Sequence, residues 1–119
     1  MDFFIDMFLQ QIPANIRTID FYTKPVPSSW GIPRLSRLCS EDFSTTNLSK
    51  NAFLFVNNKK NLLRLLYVEN DSSQLLERML IEGTFLTPTG NGDSDWVQFS
   101  RKALPAMLKI QQKKTKKRS

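Results

Sequence analysis

Phe4, Phe8 and Ile12 recur at i, i+4 and i+8, with Ile5 and Leu9 beside them. That spacing predicts a short amphipathic helix over residues 3–12, ended by Pro13. Its apolar face must dock on its own domain or on a partner chain. Residues 16–23, IRTIDFYT, alternate loosely and read as a strand with Ile19 and Phe21 on one face. The loop KPVPSSWGIP is punctuated by prolines. Leu35 and Leu38, with Ile32, then give helical spacing around residues 30–40. The polar stretch SEDFSTTNLSKN links this helix to the next element.

The firmest pattern lies at the centre of the chain. Residues 52–56, AFLFV, are apolar on both faces, as an interior strand requires. Residues 62–68, LLRLLYV, repeat the pattern after the polar tip Asn57-Asn58-Lys59-Lys60-Asn61. Together they predict a β-hairpin. Residues 74–82 stay open. Leu75, Leu76, Met79 and Leu80 fit a helix that Gly83 caps, and they fit a third strand equally well. TPTGNGDSD reads as a loop and Trp96–Phe99 as a short strand. Ser100 is placed to N-cap a last helix, with Leu104, Met107 and Leu108 on its apolar face and Pro105 near its first turn.

Charge adds a second kind of organisation. The chain has 119 residues, with 17 Lys+Arg against 11 Asp+Glu. Lys109, Lys113, Lys114, Lys116, Lys117 and Arg118 cluster at one end with no acid among them, so the rest of the chain is formally neutral. A neutral body with a cationic arm suits a polyanion better than a uniformly basic surface would. The expected organisation is an N-terminal helix at 1–13, one α+β domain at 14–111 and a basic, disordered tail at 112–119.

Composition excludes several chemistries. There is no histidine and a single cysteine, Cys39. An intrachain disulfide, a Cys/His zinc site and a histidine-activated nucleophile are therefore ruled out. Cys39 follows Leu35 and Leu38 and reads as a small buried hydrophobe. No run approaches the roughly 20 apolar residues of a membrane span. Asp2 and Asp6 stand where a signal peptide carries positive charge, so a cytoplasmic location is expected. The central acids Asp20, Glu69, Asp71, Glu77, Glu82, Asp93 and Asp95 are scattered. Asp93 and Asp95 suit a solvated turn better than a cation site. GNGDSD lacks the Gly-Lys-Ser/Thr ending of a phosphate loop. No enzyme activity, cofactor or metal is expected.

The order hairpin, Leu-rich segment, Gly-x-Phe, loop, apolar strand, short helix and basic tail resembles a known family. It is the TnpB accessory protein, product of the second open reading frame, of insertion-sequence-66 transposable elements. The resemblance covers about residues 16–118. It is strongest where Phe53-Leu54-Phe55, Leu63-Arg64-Leu65-Leu66-Tyr67-Val68, Glu69-Asn70-Asp71, Leu75, Met79-Leu80 and Gly83-Thr84-Phe85 follow one another without a gap. Phe99-Ser100 through Ala103-Leu104 and Met107-Leu108 resemble the family's closing segment. A Lys/Arg-rich tail is similar to that of Bacteroides-type members.

The family's Asp-Met-Arg before the first helix is absent near Pro27-Ser28-Ser29. Val68 and Met79 stand where the family has Trp and Arg, so the chain resembles a diverged member. The resemblance implies a non-enzymatic accessory role in DNA transposition, beside a separate transposase.

These readings converge on an α+β domain with an antiparallel sheet of about three to five strands centred on the hairpin. Helices near 30–40 and 100–111 pack on it. The expected DNA contacts are Lys109, Lys113, Lys114, Lys116, Lys117 and Arg118, joined by Lys59 and Lys60 at the hairpin tip and Arg64 on the following strand. Arg101 and Lys102 are placed to touch backbone phosphate. Six tail charges would give a log–log salt slope of at most about −5. The partners expected are the DNA phosphate backbone, a transposase and a second copy of the chain, with no membrane. The alternatives are a protein–protein adaptor for the transposase and an inactive remnant.

Overall fold

A five-stranded sheet runs through the centre of the protein. The computed structural model describes residues 9–44, 50–90, 92–107 and 110–111. The strands are β1 (Thr18–Tyr22), β2 (Asn51–Val56), β3 (Leu62–Glu69), β4 (Ser72–Met79) and β6 (Trp96–Ser100), in the spatial order β4-β3-β2-β1-β6. A helix, α1 (Ile32–Asp42), crosses between β1 and β2. A small second sheet pairs β5 (Thr84–Phe85) with β7 (Ile110–Gln111).

The hairpin forms where the pattern places it. All six residues of β2 are buried, and so are the first six of β3. Each face of this pair is covered, so both faces must be apolar. One face carries Ala52, Leu54, Val56, Leu63, Leu65 and Tyr67, packed with Ile12, Ile16, Phe85 and Leu104. The other carries Phe53, Phe55 and Leu66, packed with Val26 and with Leu35 and Cys39 of α1. Each such side chain contributes roughly 1.5–3 kcal/mol by leaving water. Ile19 and Phe21 share the first face, as their alternation predicts.

The sheet departs from the expected antiparallel arrangement at one place. β1 pairs with β2 in parallel, Ile19 opposite Ala52 and Phe21 opposite Leu54. A parallel pair needs a long crossover, and the proline loop with α1 supplies it. Pro33 sits in the first turn of α1, where its missing N–H costs little, and Leu35 and Cys39 meet the sheet one turn apart.

Residues 74–82, open between helix and strand, are strand through Met79. β4 pairs with all eight residues of β3. It is an edge strand, so only part of it is buried and its polar positions read ambiguously. Gly83 caps no helix. It takes a φ of 85° in the turn between β4 and β5, a region that favours glycine.

The expected helix at 100–111 is shorter than its pattern. Arg101–Ala103 form a 3-10 turn, Leu104–Met107 form α2, and β7 follows. Pro105 is the reason. It has no N–H for the Arg101 carbonyl, which instead accepts from the Leu104 N–H one residue earlier. Ser100 stands at the N-cap but makes no side-chain capping bond.

Of the expected helix at 3–12, residues 9 and 10 are helical and residues 1–8 lie outside the described region. Leu9 and Ile12 pack on the domain's own core. Among the described residues, no helix is long and apolar enough to cross a membrane.

Candidate nucleic-acid interface

The hairpin tip is held rigid by one side chain. Asn57 Oδ1 accepts from the backbone N–H of Asn61 and of Leu62, both at 3.0 Å. Asn57 Nδ2 donates to Asn61 Oδ1 at 2.7 Å. The Lys60 N–H donates to the Asn57 carbonyl oxygen at 3.0 Å, and Lys60 takes a left-handed φ of 59°. This clamp fixes the backbone that carries two exposed lysines, Lys59 and Lys60.

The tip does not stand alone. The Phe85 N–H donates to the Lys60 carbonyl oxygen, and the Leu80 N–H to that of Asn61, both at 2.8 Å. β5 is thereby fixed to the tip, and Gln111 of β7 lies opposite Thr84 of β5. Neighbouring strands are about 4.8 Å apart. The backbone at Gln111 is therefore stationed beside the hairpin tip. Lys109, Lys113, Lys114, Lys116, Lys117 and Arg118 lie outside the described residues.

Arg64 has a different place from the one expected. Its side chain is 4% exposed, between Phe55 and Glu77 on the α1 face of the sheet. Its Nε donates to Glu77 Oε2 at 2.8 Å, while Nη1 finds no hydrogen-bond partner among the described residues. A guanidinium so enclosed cannot reach a phosphate. Both faces of β3 are covered, so its third position is interior whatever the residue type.

Arg101 is also removed from the set of free cations. Its Nη1 donates to the carbonyl oxygens of Pro13 and Ile16, and its Nη2 to those of Leu9 and Ile12. The planar fork thus gathers four carbonyls of residues 9–16, two of which, those of Leu9 and Pro13, also accept from the Ile12 and Ile16 N–H groups. Lys102, the next residue, remains exposed.

The opposite charge gathers along β6. A cleft of about 540 Å³ is lined by Asp20, Asp42, Asp93 and Asp95 with Trp96 and Gln98. Asp95 pairs with Lys24 at 3.3 Å, and Asp42 Oδ2 accepts from Trp96 Nε1 at 2.7 Å. Asp20 is 2% exposed and accepts from Asn51 Nδ2 at 2.8 Å and from Gln98 Nε2 at 3.1 Å. Burial raises the Asp20 pKa above the usual 3.8, and the two amide donors offset part of that rise. Among the described residues, no group of His, Cys, Asp or Glu is arranged to hold a metal ion. A phosphate backbone is repelled along this edge. Cys39 is buried as expected, and burial followed by Asp20 and Asp42 pushes its thiol up to about 12.

The fold defines a class: a small α+β domain built on a mixed five-stranded sheet. Residues 17–118 match the model of the family described as IS66 Orf2 like protein. The chain belongs to that family of insertion-sequence accessory proteins. No curated protein and no solved structure matches it.

Proposed function

We propose that the protein is a non-enzymatic accessory factor of insertion-sequence DNA transposition that holds DNA by its phosphate backbone. The contacts are Lys59, Lys60, Lys109, Lys113, Lys114, Lys116, Lys117 and Arg118. One observation supports the reading: β7 pairs with β5, and β5 is bonded to Lys60, so Gln111, two residues before the cluster Lys113–Arg118 in sequence, lies beside the hairpin tip. Cations that meet phosphates release condensed counterions, with no need to read bases. The protein acts in the cytoplasm beside a separate transposase, and its tail is of the Bacteroides type.

The test is DNA titration of the full chain against a variant with Lys113, Lys114, Lys116, Lys117 and Arg118 replaced by Gln. The log–log salt slope is expected to flatten by about 4, at roughly 0.9 per lost contact. Equal slopes for the two proteins overturn the proposal.

A second reading rests on three exposed apolar side chains. Met79 ends the edge strand β4, Ile81 lies fully exposed in the turn after it, and Leu86 follows β5. An open strand edge with such neighbours suits pairing with another protein, making the chain an adaptor for the transposase or a homo-oligomer. Ile81→Gln separates the two readings. It abolishes association with a transposase or a second copy if the edge is used, and, adding no charge, it leaves DNA affinity intact.

A further inference from the structure

The hairpin tip and β7 occupy one end of the sheet. The other end holds a cleft of about 700 Å³ lined by Leu9, Ala14, Arg17, Ser100, Arg101 and Lys102. We propose that this cleft is a second binding site for the phosphodiester backbone of a nucleic acid, with Arg17 and Lys102 supplying the charge. The inference rests on the DNA-binding reading above and extends it to a part of the fold remote from the tip.

The cleft is assembled by the β1–β6 ladder. Thr18 lies opposite Ser100, and the Arg101 N–H donates to the Arg17 carbonyl oxygen at 2.8 Å. Arg17 and Lys102 are thus carried to one rim from segments 85 residues apart. Both are exposed, and neither has an ion-pair partner among the described residues.

Among the described residues, no acid lines the cleft. Arg101 adds a fixed positive charge while its own N–H groups stay on the carbonyls of residues 9–16. Ser100 offers a hydroxyl with no capping bond to keep it. Two free cations, a third fixed one and a hydroxyl around one hollow match a run of phosphates.

The experiment compares the full chain with Arg17→Gln/Lys102→Gln in titrations of a short DNA duplex over a range of salt. The log–log slope is expected to lose about 2. The charge-preserving Arg17→Lys/Lys102→Arg variant is expected to keep the full slope. An unchanged slope in the Gln variant, with an unchanged urea midpoint, overturns the site. Inorganic phosphate is titrated in parallel. Saturation of the cleft by phosphate with no change in DNA slope would assign it to free phosphate and also overturn the proposal. The two readings fail separately. Loss of slope in the cleft variant with none in the neutralised-tail variant refutes the tail contact alone, and the reverse result refutes the cleft alone.

Discussion

Arg101 Nη2 donates to the Ile12 carbonyl oxygen at 2.7 Å, across 89 residues of chain. Three further carbonyl oxygens, those of Leu9, Pro13 and Ile16, complete the clasp. It holds the segment carrying Ile12 and Ile16 onto the face of the sheet that Leu104 also covers. The charge lies at the carbonyl end of a helical turn, where a cation is favoured.

Arg101→Ala is therefore expected to destabilise the fold by about 3 kcal/mol, since four charged hydrogen bonds are lost together. Arg101→Lys offers one ammonium in place of a planar fork and should recover less than half of that loss. Urea unfolding midpoints measure both. A midpoint for Arg101→Ala equal to that of the wild type would show the clasp to be energetically idle.

Arg64 and Glu77 give an asymmetric pair. Arg64 is 4% exposed and Glu77 is 49% exposed at the side chain. Removing the acid leaves an enclosed guanidinium uncompensated, although water beside Glu77 screens the pair. Glu77→Ala should cost about 1–2 kcal/mol. Arg64→Met keeps the aliphatic volume and removes the unpartnered Nη1, so its stability should stay within about 1 kcal/mol of wild type. The same variant should bind DNA with an undiminished salt slope. Loss of a full unit of slope in folded Arg64→Met would return this residue to the DNA contacts.

Asp20 sets a pH dependence of unusual sign for an acid. Its pKa is raised by burial above the 3.8 of the unfolded chain. Between those two values the folded state binds the extra proton. Stability from this group therefore falls as pH rises through the window, and it is fully regained below the unfolded value. Asp20→Asn removes the titration. Wild-type stability relative to this variant should increase as pH drops from neutrality through the folded pKa. Urea midpoints over a pH series read the difference. A difference that stays flat, or that shrinks on acidification, contradicts the burial argument.

What could be read from the sequence follows from how local each cause is. The β2–β3 hairpin was legible because two apolar runs and a polar tip are neighbours in the chain. α1 was legible from Leu35 and Leu38, and β6 from Trp96–Phe99. The strand at 72–79 was not, because an edge strand buries only part of its length and QLLERM satisfies two periods. The parallel pairing of β1 with β2 depends on a crossover whose path is set by tertiary packing. Arg64 was misplaced because its partner Glu77 lies on another strand, and a cation on a strand carries no local sign of burial. Arg17 went unnoticed for a similar reason, since its neighbours Ser100 and Lys102 join it only through the β1–β6 ladder. The station of Gln111 beside the hairpin tip depends on the two-residue strands β5 and β7, too short to leave a pattern.

Lys60 joins backbone geometry to DNA affinity in one side chain. Its φ of 59° is a conformation that costs a residue with a Cβ about 1 kcal/mol, and glycine adopts it freely. Its N–H donates to Asn57 and its carbonyl accepts from Phe85, and both bonds are made by backbone atoms. Lys60→Gly keeps those bonds, relieves the strain and removes one exposed cation. Two readouts should then move in opposite senses. Stability should rise by up to about 1 kcal/mol, less the extra freedom that glycine gives the unfolded chain. The log–log salt slope for DNA should flatten by about 0.9. Lys59→Gly, one residue earlier and without a positive φ, should lose the same slope with no gain in stability. A Lys60→Gly protein that is more stable yet binds DNA with the wild-type slope would remove the hairpin tip from the interface and leave the basic segment to act alone.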